Sequence, residues 1–296
     1  MDFDDRLGQA WGRHGNDAEG VARDLSALIP YVESDAHVAA LAQIGTHVWG
    51  EHLGRWNEGL DFLARLRLHA ALLRGGDSER ALERLRRSLS LSAGREELGE
   101  DLPQADALRV LLTSASALVS RDPARAQAYF KRALEAAPGL AKEDPAHKTL
   151  ATTANNIAYA LETQDGRNEA ETELMLLAAR AARTHWEIAG GWLEVERAEY
   201  RLAKSYLKAG LAQKSREHAQ ACLRIVAVQR ADALEVFYAH EALALAELSL
   251  GNRDPAQRSL ATARASFAAL GEEDRNWVRP DLDLLVAVFA KNGIHP

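Results

Sequence analysis

The sequence predicts an all-α chain, and three observations lead there. Long stretches are dominated by Ala, Leu, Arg, Glu and Gln, all strong helix formers. Glycines and prolines fall mostly between those stretches, where helices begin and end. Alternating runs of Val, Ile and Thr, the pattern of half-buried strands, are missing. The 296 residues are 47% hydrophobic and 27% charged, enough apolar surface for a sizeable core.

In chain order the predicted helices are 2–13, 17–30, 35–53, 57–74, 78–92, 104–120, 123–137, 146–164, 167–185, 190–209, 212–229, 231–250, 254–270 and 275–292. Asp122-Pro123 and Asp254-Pro255 read as an N-cap followed by a first-turn proline. Gly15, Gly76, Gly210 and Gly251 sit where helices end and a left-handed residue is often needed. Helix 78–92 lacks an evident partner, and the acidic stretch 93–103 after it is either a solvated loop or a joint between two sub-stacks. The expected division is therefore an irregular N-terminal part, 1–103, and a regular C-terminal part, 104–296, in one continuous stack. The last helix, with Trp277, Leu282, Leu285, Val286 and Phe289, is expected to cap the open end of the core.

One cluster of residues recurs: a large residue, a small one, an aromatic or Leu three further on, a glycine, then a small residue opening the next helix. It reads Leu7-Gly8, Trp11, Gly15, Gly20, then Ile157-Ala158, Leu161, Ala170, then Leu202-Ala203, Tyr206, Gly210, Ser215, and finally Leu243-Ala244, Gly251, Ala256. The second helix of each unit carries Ala126, Phe130, Ala133 and Pro138, with the spacing repeated in Ala170, Leu174, Leu177 and in Ala256, Leu260, Ala263. Small residues such as Gly8, Ala158, Ala203 and Ala244 would let antiparallel helices approach closely.

This pattern resembles the tetratricopeptide repeat, most strongly from about residue 105 to 270. The resemblance implies a right-handed α-solenoid of antiparallel helical hairpins. The unit is longer than the usual ~34 residues: Ala126 to Ala170 is 44, Ala170 to Ser215 is 45, and Ser215 to Ala256 is 41. It is similar in this to the long-helix variants of kinesin light chains and of bacterial peptide-sensing regulators.

Composition narrows the function classes. A net charge of −7 argues against a general nucleic-acid binder, which needs a basic face. No apolar run approaches the roughly 20 residues that span a bilayer. The acidic start lacks a hydrophobic signal stretch, so a cytoplasmic location is expected. Cys222 is the only cysteine and sits in an apolar run, as a core thiol does.

Enzyme motifs are poorly supported. Arg74-Gly75-Gly76-Asp77-Ser78 is a stop, a turn and a helix start rather than a phosphate loop, and no G-x-S-x-G occurs. His47-Val48-Trp49-Gly50-Glu51-His52 looks like a zinc motif, but its histidines are five apart. On an α-helix that separates them by about 140°, so no metal site is expected there. His69, His147, His185, His218 and His240 are scattered singly. No cofactor is expected.

A solenoid presents a concave face lined by the first helix of each hairpin. The stripe beside the packing face reads Thr152, Asn155, Tyr159, Glu162 in helix 146–164. It reads Arg197, Tyr200, Lys204, Leu207 in helix 190–209, and Tyr238, Glu241, Leu245, Leu248 in helix 231–250. Asn155 and Asn156 offer amides to an extended peptide backbone. Tyr159, Tyr200 and Tyr238 offer aromatic area with a polar tip. Arg197, Arg201, Lys204 and Lys208 gather cations on one helix. The Asn-Asn pair resembles the same helix of kinesin light chain repeats. Asn156 with Arg197 and Arg201 resembles part of the carboxylate clamp of chaperone-binding tetratricopeptide domains, although Leu111 and Ala115 stand where that clamp has its other Lys and Asn. The competing reading is a solvated face neutralised by Glu194, Glu196 and Glu199. The resulting expectation is a non-enzymatic scaffold that binds an extended or acidic segment of another protein. A stand-alone peptide-sensing regulator and, less well supported, an enzyme on an α-solenoid are the alternatives. Trp49, Trp56 and Trp192, if exposed, would mark a self-association patch.

Overall fold

The computed structural model describes residues 2–95, 98–99 and 101–294, and among them every regular element is a helix. The α-helices are α1 (Phe3–Arg13), α2 (Ala18–Leu28), α3 (Asp35–Thr46), α4 (Trp56–Arg67), α5 (Asp77–Ser92), α6 (Gln104–Leu118), α7 (Pro123–Ala136), α8 (Ala146–Thr163), α9 (Glu169–Ala189), α10 (Trp192–Lys208), α11 (Ala212–Gln229), α12 (Ala233–Ser249), α13 (Arg253–Ala269) and α14 (Glu272–Lys291). The chain divides into two compact units, Met1–Thr149 and Leu150–Pro296. Among the described residues no helix is long and apolar enough to cross a membrane.

In the first unit, side-chain oxygens start α1, α2, α3 and α7. Asp2 accepts from the Asp5 amide, Asp17 from Gly20, Ser34 from His37 and Asp122 from Arg125, with Pro123 in the first turn. Helix α5 does have partners: it packs against α3, α4 and α6. Of the acidic stretch 93–103, residues 96, 97 and 100 lie outside the described residues. The helix expected over 57–74 stops at Arg67. Asp35 anchors the chain beyond it, accepting from the Leu73 amide at 2.8 Å and from the Ser78 hydroxyl at 2.5 Å. The first copy of the repeat does not pack as expected. Gly8 is exposed with open space where a Cβ would stand, Trp11 is 36% exposed, and Phe3 and Ala10 carry the burial of α1.

In the second unit the repeat residues do pack. Ala158, Ala203 and Ala244 are buried at the helix crossings. On the second helices, burial recurs at i, i+4 and i+7: Glu171, Met175, Ala178 in α9, Ser215, Ala219, Cys222 in α11 and Ala256, Leu260, Ala263 in α13. Ala170 is exposed, so the register of α9 is one residue later than the spacing from Ala170 implies. The reason is the N-cap: Asn168 and Glu171 form a reciprocal capping box, which holds Glu171 against the helix start. Gly210 and Gly251 take the left-handed conformation (φ 74° and 78°), whereas Gly15 and Gly76 do not. Helix α13 begins earlier than its Asp-Pro pair suggests, with Asn252 as the cap residue. Helix α14 packs on α12 and α13 through Val278, Leu282, Leu285 and Phe289, but Trp277 is 65% exposed.

Candidate functional site

The stripe residues belong to alternate helices of the second unit, and side-chain bonds join them from helix to helix. Arg201 of α10 reaches Glu162 of α8 at 2.8 Å. Lys204 of α10 meets Glu241 of α12 at 2.5 Å, and the Tyr200 hydroxyl donates to the other oxygen of the same carboxylate at 3.2 Å. Arg197 pairs with Glu235 of α12 at 2.7 Å. The Tyr238 hydroxyl of α12 donates to Asp281 of α14 at 2.8 Å. The result is a polar ladder across α8, α10, α12 and α14.

The aromatic rings follow the same line. The Arg201 guanidinium lies over the Tyr159 ring, 4.6 Å from its centre, and the Lys204 ammonium lies 5.6 Å from that of Tyr200. Tyr200 and Tyr238 meet edge to face at 5.4 Å, and Tyr238 and Trp277 at 6.0 Å. Tyr159 is 53% exposed, so half its ring remains available. Burial, with Glu241 and Glu162 adding, pushes the Tyr200 hydroxyl well above its ordinary pKa, so it stays a donor. Burial, with the hydrogen bond to Asp281, does the same for Tyr238.

Five of the predicted residues thus fall into two linked groups, Tyr159 with Arg201 and Tyr200 with Lys204 and Tyr238, the second joined also through Glu241. Arg197 is tied in at Glu235 yet keeps a 58% exposed side chain. Asn156 and Lys208 are exposed and Asn155 is half-buried. The polar tips of Tyr200 and Tyr238 are occupied within the unit rather than free for a ligand. Arg197, Arg201 and Lys204 are neutralised too, but by glutamates of neighbouring helices. Glu199 of their own helix instead accepts from Arg183 and sits 2.6 Å from His218. Burial works to raise its pKa; the hydrogen bonds from His218 and Arg183 outweigh it and hold the carboxylate low.

Sequence reasoning named Glu162, Glu196 and Glu241 as surface or groove residues and missed that they are buried. Glu162, Glu196, Glu235, Glu241 and Glu247 are each 6% exposed or less, although glutamates are almost never buried without a partner. Among the described residues one oxygen of Glu196 has no hydrogen-bond partner. Burial, with the nearby Glu235 carboxylate adding, raises its pKa to about 7. A signal for the ladder was present: its ion pairs join residues 37 to 39 positions apart, nearly one repeat. Of the tryptophans considered for self-association, Trp49 is buried, Trp56 is half-buried and Trp192 is 40% exposed. No model of a known protein family matches the chain, and no curated protein matches it.

Proposed function

We propose that the chain is a non-enzymatic interaction scaffold whose second unit is a tetratricopeptide-like right-handed α-solenoid. Its concave face holds an extended segment of a partner protein along the ladder of α8, α10, α12 and α14. The observation that carries this reading is the continuity of the ladder with an accessible edge. Asn156, Tyr159, Arg197, Lys208 and Trp277 are exposed beside side chains that are locked by bonds between helices. A pre-ordered surface loses little side-chain freedom when a peptide settles on it. Amides at Asn155 and Asn156 suit a peptide backbone, Tyr159 and Trp277 suit apolar side chains, and Arg197 with Lys208 suits carboxylates. Because Glu162 and Glu241 already neutralise Arg201 and Lys204 out of solvent, the preference for acidic residues rests on Lys208 and on Arg197, which is paired with Glu235 but keeps a 58% exposed side chain.

Random peptides displayed on phage and selected against the full chain test this. The wild type is expected to enrich an extended motif with one or two acidic positions. The Arg197→Glu/Lys208→Glu double variant, checked by circular dichroism, is expected to lose it. Enrichment of no motif, or of the same motif by both proteins, sinks the proposal.

A further inference from the structure

Helix α3 does not end in an ordinary α-turn. Residues His47–His52 form a π-helical turn, in which the Leu53 amide donates to the Val48 carbonyl, five residues back, at 3.0 Å. Such a turn is wider than an α-turn, with i→i+5 bonding, so residues i and i+5 lie nearer to one side than they do on an α-helix. The separation expected for an α-helix therefore does not apply: the Nε2 atoms of His47 and His52 are 3.1 Å apart. His14, at the C-terminal end of α1, supplies a third ring, with its centroid 4.9 Å from that of His47 and 5.1 Å from that of His52. One ring nitrogen from each of the three lies within 4.8 Å of the others.

The surroundings hold these rings in place. The Glu51 carboxylate lies 3.1 Å from His47 Nδ1, and its other oxygen accepts from the Ser116 hydroxyl at 2.8 Å. His14 Nδ1 meets the Trp11 carbonyl at 2.5 Å. Both contacts fix the tautomer with a proton on Nδ1 and a lone pair on Nε2, as carboxylate or carbonyl partners do behind metal-bound histidines. Arg121 donates to the Glu51 and His52 carbonyls at 2.7 Å each, closing the end of the turn.

We propose that His14, His47 and His52 bind one divalent transition-metal ion of the Zn²⁺ type, with the fourth position left to water or an outside donor. Zinc–nitrogen bonds of about 2.0–2.1 Å place tetrahedral nitrogens roughly 3.3 Å apart. The His47–His52 pair already has nearly that spacing, and a side-chain rotation of His14 closes the rest. Without the ion, His52 Nε2–H donates to His47 Nε2. On binding, His52 takes the tautomer with its proton on Nδ1, and all three nitrogens give lone pairs. The site lies wholly in the first unit and is independent of the peptide reading of the second.

The test uses the full chain, stripped of metal with a chelator and titrated with ZnCl₂ in a calorimeter. One ion per chain is expected. Replacing Zn²⁺ by Co²⁺ is expected to give the intense visible bands of a four-coordinate site. His47→Gln and His52→Gln are expected to weaken binding by more than about a hundredfold, and Glu51→Gln by about ten- to a hundredfold. His69→Gln is expected to leave it unchanged. A readout that needs no variant is the histidine NMR spectrum of the wild type: Zn²⁺ should move the imidazole signals of His14, His47 and His52 but not that of His37. Binding without stoichiometry, equal affinity in a folded His47→Gln variant, or shifts confined to other histidines would each overturn the proposal.

Discussion

A glutamate placed where one helix packs on another must either meet a cation or keep its proton. Glu241 takes the first course, with Lys204 and Tyr200 on its two oxygens. Replacing Lys204 by Met strands that carboxylate, and a loss of about 3–5 kcal/mol is expected in urea denaturation. The Lys204→Met/Glu241→Met pair should recover most of it, because a hydrophobic substitute for a buried ion pair is often no less stable. Glu196 takes the second course. Its folded-state pKa is raised from 4.5 to about 7, so between those values the folded chain holds a proton that the unfolded chain has released. Stability therefore falls as pH rises through that window, by on the order of 3 kcal/mol in all. Glu196→Gln should flatten this slope, stabilising the protein at pH 8 and leaving it unchanged at pH 4, as read by denaturation midpoints. The charges behind both effects were visible in the sequence, but their pairing was not. Helix-surface reasoning looks three or four residues away for a partner, whereas these pairs span 37 to 39.

Helix positions were largely legible because caps and apolar periodicity are local. The sequence reading fixed α11 at 212–229, and the structure agrees. Two departures came from bonds that periodicity does not register. In α9, the Asn168–Glu171 box sets the register one residue later than the alanine spacing suggested. Asn168→Ala should cost about 1 kcal/mol, with faster hydrogen exchange concentrated in the first turn of α9. In the turn after α3, i→i+5 bonding brings together two histidines that an α-helix keeps apart. Arg121 closes that turn from 69 and 70 residues away. Arg121→Ala should speed exchange of the Leu53 and Arg55 amides, which donate to the Val48 and Trp49 carbonyls, while amides inside α4 keep their protection.

At the scale of the whole molecule, ion pairs differ in how far solvent reaches them. Several ion pairs of the first unit are open to solvent: Arg13–Asp24, Arg55–Glu19 and Arg80–Asp77 have side chains 43–96% exposed. The pairs Arg201–Glu162 and Lys204–Glu241 of the second unit are 5–16% exposed. Salt screens the first kind far more than the second. Raising the salt concentration from 0.05 to 0.5 M should alter amide protection near the exposed pairs of the first unit by a few tenths of a kcal/mol. Protection around the α10–α12 contact should stay unchanged, and an equal response in both places would contradict the assignment.

The ladder also makes the hairpins of the second unit non-interchangeable. Suppose a gene rearrangement excised α10 and α11 and joined α9 to α12 in the same frame of packing. Glu162 would then face Ala242, the counterpart of Arg201, while Glu235 and Glu241 would face Thr152 and Tyr159, the counterparts of Arg197 and Lys204. Buried carboxylates on both sides of the splice would be left without cations. Repeat arrays are usually thought of as modules free to be lost or duplicated one at a time. Here α10 carries the cations that meet buried carboxylates of both α8 and α12, so its hairpin cannot be lost without stranding charges on either side.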